Sequence, residues 1–236
     1  MGAIASNLMF PAPAPSYSLS SMTSPPLYMV CGIPCLWFKV RRHRGIILYL
    51  HCNGVDLGNI RKPLFMLSRD TNYSVIAMEY PGYGIHTGTA GPDACVECAR
   101  KVLRYIKENA PGHPVVIVGR SIGTGIAAEL VVNSTVDGLV LVSPFQSIES
   151  MAKPIMGRLA LLASHVFNTK SNLKSIHVPT LLIHGDNDKM IPIDHSHALL
   201  EVSGARRKRL HVLKGCGHND LDWHSIIKAI NSFFID

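Results

Sequence analysis

Short apolar runs punctuate the chain at Cys35–Val40, Ile46–His51, Val75–Tyr80, Val115–Gly119, Leu139–Ser143, Thr180–His184 and Leu210–Leu213. Several are almost unbroken Val, Ile and Leu, the pattern of strands covered on both faces in a parallel sheet. Between them lie longer stretches whose apolar positions recur at helical spacing, near 57–69, 92–109, 122–133, 194–202 and 220–234. This alternation predicts an α/β fold with a mostly parallel central sheet flanked by helices. The first two runs stand close enough to pair as a hairpin, with Arg41–Gly45 as the turn. The chain shows no internal repeat.

Two segments depart from this rhythm. Residues 1–26 are rich in Pro, Ser and Ala, including Phe10-Pro11-Ala12-Pro13-Ala14-Pro15. Proline fixes φ and removes a backbone donor, so the segment reads as an arm or tether rather than a helix or central strand. Residues 27–236 then form the folded domain. Within it, residues 145–172 hold Met151, Ile155, Met156, Leu159, Leu161, Leu162 and Phe167 together with Pro154 and Gly157. This apolar stretch reads as a small cap, the alternative being an ordinary surface helix.

Bulk properties narrow the class. The 236 residues suit one α/β domain, and 47% hydrophobic with 17% charged residues is a globular composition. No apolar run reaches the ~20 residues of a membrane-spanning helix, and the N-terminus lacks the pattern of a secretory signal. The six cysteines are scattered, which indicates thiols in a reducing compartment. Cys95 and Cys98 form a CxxC without a second ligand pair, so they read as two helix residues one turn apart rather than a metal site. No metal or cofactor is expected. The formal charge of +7 includes two runs, Arg41-Arg42-His43-Arg44 and Arg206-Arg207-Lys208-Arg209. Neither is interleaved with aromatics as a nucleic-acid surface would be, so no nucleic acid is expected.

The chemistry concentrates at Gly119-Arg120-Ser121-Ile122-Gly123. A strand pattern, Val115–Val118, leads into this G-x-S-x-G, and a small-residue helix pattern follows. In that context the serine sits on a sharp strand-to-helix turn with its hydroxyl exposed, the nucleophile arrangement of the α/β-hydrolase fold. A serine hydroxyl needs a base within hydrogen-bond reach, and the base needs an orienting carboxylate. In this fold they follow in the order Ser, acid, His on loops after strands. Asp186 and Asp188 both occupy the loop after Thr180–His184. Asp188 is favoured as the acid because it sits farther along the loop, whereas Asp186 suits a turn former that bonds its own backbone. His218 follows the last strand, between Gly217 and Asn219, and is the base. His224 lies on the final helix, with Asp220 as its expected N-cap. The oxyanion donors would be the N–H groups of Asn53, on the loop after Leu48–His51, and of Ile122.

Together, His51-x-Asn53-Gly54-Val55-Asp56-Leu57-Gly58, Tyr80-Pro81-Gly82-Tyr83-Gly84, Gly119–Thr124, His184-Gly185-x-x-Asp188 and Gly217-His218-Asn219-Asp220 resemble the α/β-hydrolase-domain-containing protein 17 family. The resemblance spans about 26–236, and Phe10–Leu19 looks like that family's proline-rich leader. It implies a membrane-tethered palmitoyl-protein thioesterase with Ser121, Asp188 and His218 as its triad. The chain departs from the family pattern in three places. Cys52 stands where glycine is usual, either narrowing the acyl site or facing the core. Arg120 stands where glutamine is common. The N-terminal cysteine cluster that anchors the animal proteins is missing, since the first cysteine is Cys31.

Another anchor is available. Met1-Gly2-Ala3-Ile4-Ala5-Ser6 fits the N-myristoylation pattern on Gly2. One myristoyl chain binds membranes only marginally, and a second signal is usual. The two basic runs are candidates, although both precede strands whose far ends carry the site loops, which would turn the site away from a membrane bound there. They are equally readable as solvated turns. The expected reaction is hydrolysis of acyl thioesters on proteins at a cytoplasmic membrane surface. Two alternatives stand beside it. One is a soluble carboxylesterase or monoacylglycerol-type lipase using the same residues. The other is an inactive hydrolase fold serving as a binding module. Peptidases of this fold are a weaker match, with no propeller domain among these residues to screen peptides.

Overall fold

The computed structural model describes residues 9–21, 26–151 and 166–235. The expected lipid site Gly2 and half of the expected cap, residues 152–165, lie outside them. The chain divides into two compact units, Met1–Val116 and Ile117–Asp236.

In the first unit the strand order is β1 (Leu27–Val30), β2 (Ile33–Phe38), β4 (Ser74–Met78), β3 (Ile46–Leu50). Strands β3 and β4 run parallel and are joined through α1 (Arg61–Thr71), a βαβ unit. Every residue of β2, β3 and β4 is buried, which explains their nearly continuous apolar sequence. The helix α2 (Pro92–Asn109) starts with proline at its first position, where no intrahelical N–H is needed.

The hairpin expected across Arg41–Gly45 is not formed. Strand β2 pairs antiparallel with β1 on one side and with β4 on the other, so β3 is its second neighbour. The hairpin turn is instead Cys31-Gly32, with φ of 51° and 80°. Two central residues at positive φ make the tight two-residue turn whose twist matches paired strands. The exposed Cys31 there contrasts with buried Cys35, Cys52 and Cys95, while Cys98 and Cys216 are intermediate. Burial pushes the Cys95 thiol up to about 12, so at neutral pH it is a protonated core residue of α2.

The second unit, which takes β5 (Val115–Arg120) from Ile117 onward, has the order β5, β6 (Gly138–Val142), β7 (Thr180–Gly185), β8 (Lys208–Leu213), with β6, β7 and β8 parallel. The helices are α3 (Ile122–Val132), α4 (Thr169–Ser175), α5 (Asp194–Val202) and α6 (Trp223–Ile235). Strand β8 ends the order and begins two residues earlier than the apolar pattern suggests, because its first residues are Lys208 and Arg209. Charged residues on an edge strand discourage pairing with another chain.

Three cations of the second basic run are engaged locally. Arg207 donates to the Phe233 carbonyl, and Arg209 donates to the Ala229 carbonyl (3.2 Å) and the Ser232 hydroxyl (2.9 Å). Lys208 donates to the Ser203 carbonyl just past α5 (2.7 Å). Cations at helix C-termini meet the negative end of the helix dipole. The run is thus exposed to solvent, and three of its four cations also clamp the ends of helices.

Candidate active site

Strand β5 delivers the chain to Ser121, whose backbone is held at φ 53°, ψ −119° before α3 begins at Ile122. A non-glycine residue at positive φ is strained, and such strain collects at functional positions. The Ser121 N–H donates to the Val142 carbonyl of β6 (2.9 Å), which helps hold the turn. Gly119 is required because a Cβ there would collide with the carbonyl oxygen of Gly123. Ile122 opens the helix, so its N–H has no intrahelical acceptor.

Ser121, Asp188 and His218, all in the second unit, are brought together by the fold. Ser121 Oγ lies 3.0 Å from His218 Nε2, and His218 Nδ1 lies 2.7 Å from Asp188 Oδ2. The carboxylate can only accept, so Nδ1 carries the proton and Nε2 is left to accept from the serine hydroxyl. The Asp188 carboxylate is fully buried. Its other oxygen accepts the N–H groups of Met190 (2.9 Å) and Ile191 (2.8 Å). These bonds fix the plane of the carboxylate and aim Oδ2 at the imidazole.

The two aspartates thus divide the work differently from the turn argument. Asp188 is the residue that bonds its own loop. Asp186 reaches across and accepts the Gly215 N–H (2.6 Å), joining the loops after β7 and β8. Asp220 likewise does not cap the last helix: it accepts the Gly217 N–H (2.7 Å). Asp222 takes the cap, with its side chain accepting from the His224 N–H (3.0 Å) and its carbonyl from Ile226 (3.0 Å). The helix starts at Trp223, two residues too late for Asp220 to reach its first turn.

Two residues beside these were named in the sequence but given no role there. Arg120 donates to the His218 carbonyl (3.0 Å) and approaches the Asn219 side-chain oxygen (3.5 Å), tying the serine turn to the histidine loop. His184 is completely buried under the aspartate loop. Its Nδ1 accepts from the Ser196 hydroxyl (2.7 Å) and its Nε2 donates to the Ile191 carbonyl (2.8 Å), with Asp188 Oδ2 at 3.4 Å. The spacing of His184 and Asp188 was the one available signal, but nothing in it specifies Ser196 as partner.

Burial lowers the His184 pKa below its ordinary 6.5, against the opposing pull of the Ile191 carbonyl and Asp188. His195, whose Nδ1 accepts the Gln146 N–H (3.1 Å), is lowered for the same reason. The unfolded chain then binds protons more readily than the folded one, so stability is full above pH 6.5 and is lost as pH falls below it. The urea midpoint should drop between pH 7.5 and 5.5, and the drop should shrink in His184→Asn. Equal drops in the two proteins would show that His184 does not carry this linkage.

Asn53 lies in the first unit. Its side chain donates to the Met9 carbonyl (2.7 Å) and accepts from the Tyr83 hydroxyl (3.1 Å). Its assignment as a donor continues to rest on sequence order. Cys52 beside it is buried. No group of His, Cys, Asp and Glu suited to a metal ion occurs among the described residues.

Residues 41–172 and 168–221 match the Hydrolase_4 family, described as serine aminopeptidase, S33. The chain belongs to this family. Its fold is the α/β-hydrolase fold, of the serine hydrolase type. It is 29% identical over 192 residues to the alpha/beta hydrolase domain-containing protein aho-3 of Caenorhabditis elegans, covering 80% of this chain and 57% of that protein. It is 29% identical over 195 residues to the lysophosphatidylserine lipase ABHD12 of Mus musculus, covering 73% of this chain and 49% of that protein. The chain therefore spans about half the length of these curated relatives. Among solved structures it resembles a monoacylglycerol lipase of Paleococcus ferrophilus, with a TM-score of 0.64 and 20% identity, covering 85% of this chain and 97% of that one. At that identity the likeness concerns the fold alone.

Proposed function

We propose that this Hydrolase_4 member is a serine hydrolase that removes fatty acyl groups from S-acylated cysteines of proteins at a membrane surface. The observation that carries the hydrolytic part is the hydrogen-bonded line from Ser121 Oγ through His218 to Asp188. The thioester preference is supported by the motifs that resemble the α/β-hydrolase-domain-containing protein 17 family. Membrane attachment is supported by the lipidation pattern on Gly2. No helix among the described residues is long and apolar enough to cross a membrane.

In this mechanism His218 Nε2 takes the Ser121 proton as Oγ attacks the acyl carbonyl. Charge collects on the carbonyl oxygen, where the Ile122 N–H donates, with the Asn53 N–H assigned as the second donor from sequence. The tetrahedral intermediate collapses, the C–S bond breaks, and the His218 imidazolium returns its proton to the departing sulfur. His218 then deprotonates a water, which attacks the acyl-enzyme. Fatty acid leaves and Ser121 recovers its proton.

A second reading is an oxoester lipase. It is favoured by the similarity to the lysophosphatidylserine lipase, since thioester and oxoester pass through tetrahedral intermediates of the same shape. The deciding experiment compares kcat/KM on a palmitoylated cysteine peptide, a lysophospholipid, a monoacylglycerol and an aminoacyl amide. At least tenfold preference for the peptide thioester is expected. Preference for either lipid would move the assignment to a lipase, and preference for the amide to an aminopeptidase. Failure of the protein to react with a fluorophosphonate, where a control hydrolase is labelled, would leave it a binding module.

A further inference from the structure

The proline-rich arm does more than lead into the fold. Phe10 and Tyr17 are buried, at 2% and 8% exposure, although proline and serine surround them. The arm lies along the loop that follows β3, Cys52 to Gly58. Asn53 Nδ2 donates to the Met9 carbonyl (2.7 Å). The Asp56 carboxylate accepts the Ser16 N–H (2.6 Å) and the Ser16 hydroxyl, besides the N–H of Asn59 (3.1 Å). The Leu57 N–H donates to Glu79 Oε2 (3.0 Å), and the same oxygen accepts the Tyr17 hydroxyl (2.8 Å).

Shape agrees with polarity. A Cβ on Gly58 would collide with Ser16 Oγ, and one on Gly84 would come within 2.7 Å of both the ring and the hydroxyl of Tyr17. These glycines make room for the arm. Burial and Glu79 raise the Tyr17 pKa far above its ordinary value, so the phenol stays a hydrogen-bond donor at any physiological pH. Glu79 is fully buried, and its Oε1 lies 3.1 Å from His51 Nε2 at the start of the loop. The loop is therefore fastened at Leu57 through Glu79, and at Asn53 and Asp56 by the arm. It contains Gly54 at φ 72°, a residue with little stiffness of its own.

We propose that Ser16 and Tyr17 are positioning residues that hold the Asn53–Gly58 loop in its working conformation. The inference rests on the reading of Asn53 N–H as an oxyanion donor. A donor must be held close to its ideal place, since displacements of about 1 Å can reduce rates by as much as 100-fold. The arm holds the Asn53 side chain through the Met9 carbonyl and the Asp56 carboxylate through Ser16, and Tyr17 holds the Glu79 carboxylate that accepts the Leu57 N–H, and so it limits such displacement.

The test uses the full chain carrying Ser16→Ala and Tyr17→Phe together. Phenylalanine keeps the buried ring and removes only the hydroxyl. Turnover of a p-nitrophenyl ester and amide hydrogen exchange are measured at a temperature where circular dichroism shows the variant fully folded. The expected result is a kcat lower by about tenfold with KM within about twofold of wild type, together with faster exchange at residues 53–58. Ser16→Thr, which keeps both donors, should behave as wild type. Unchanged kcat with a lower melting temperature would make the arm a purely structural element and overturn the proposal. Lowered kcat with unchanged exchange at 53–58 would overturn it as well. A wild-type protein that neither turns over the ester nor reacts with a fluorophosphonate would sink the hydrolase reading. The positioning claim would fall with it, while the exchange data would still report whether the arm fastens the loop.

Discussion

Ser121→Ala should abolish ester turnover, lowering kcat by roughly a million-fold, and should eliminate fluorophosphonate labelling. The size follows from the chemistry. Oγ is the atom that attacks, and it lies 3.0 Å from His218 Nε2, the base that takes its proton. What survives is binding and oxyanion stabilisation, which by themselves leave about a thousand-fold acceleration over water. Stability should change little, by under about 1 kcal/mol, because the side chain's own hydrogen bond is a single one to His218. The backbone strain at φ 53° persists, since alanine is no freer than serine there. A variant that keeps more than a hundredth of wild-type activity would place the nucleophile elsewhere.

The second large effect is expected at Asp188. Asp188→Asn should lower kcat by about ten-thousand-fold, the scale seen when a triad histidine is held in the wrong tautomer. The hydrogen bonds to Met190 and Ile191 decide the outcome. Both N–H groups require an acceptor, so the asparagine oxygen must stay on their side. The amide nitrogen then faces His218 Nδ1, which has to accept. The imidazole proton moves to Nε2 and points at Ser121 Oγ, where a base is needed. Asp186→Asn is the matched control. Its oxygen can keep the bond to the Gly215 N–H, so activity should remain within about threefold of wild type. Kinetics of both variants on one ester would settle the assignment, and the opposite ranking would transfer the role to Asp186.

The strands of the central order were readable in the sequence because burial on both faces leaves almost no polar residue in them, as in Ile46–Leu50 and Gly138–Val142. Strand β1 was not, because Pro25 and Pro26 adjoin it and a Cys-Gly turn lacks the usual Asn-Gly signal. The seven-residue helix α4, TKSNLKS, is too short and polar to show a periodicity. At the site, order along the chain and loop position led to Ser121, Asp188 and His218, which the structure places within hydrogen-bond reach of one another. The supporting residues escaped because they act across the fold. Arg120 bonds a carbonyl 98 residues away, and Ser196 meets His184 from the next helix. The arm escaped for a different reason. Proline-rich composition argues against helix and strand, but it says nothing about whether an irregular segment finds buried partners, and Tyr17 does.

The tight turn at Cys31-Gly32 gives the protein a built-in clock. Its thiol is exposed, while those of Cys35, Cys52 and Cys95 are enclosed in the same unit. A thiol reagent added to the native chain would reach Cys31 at once and the enclosed sulfurs only when that unit opens. The order in which Cys31 and the enclosed sulfurs are modified therefore records the opening of the arm-bearing unit.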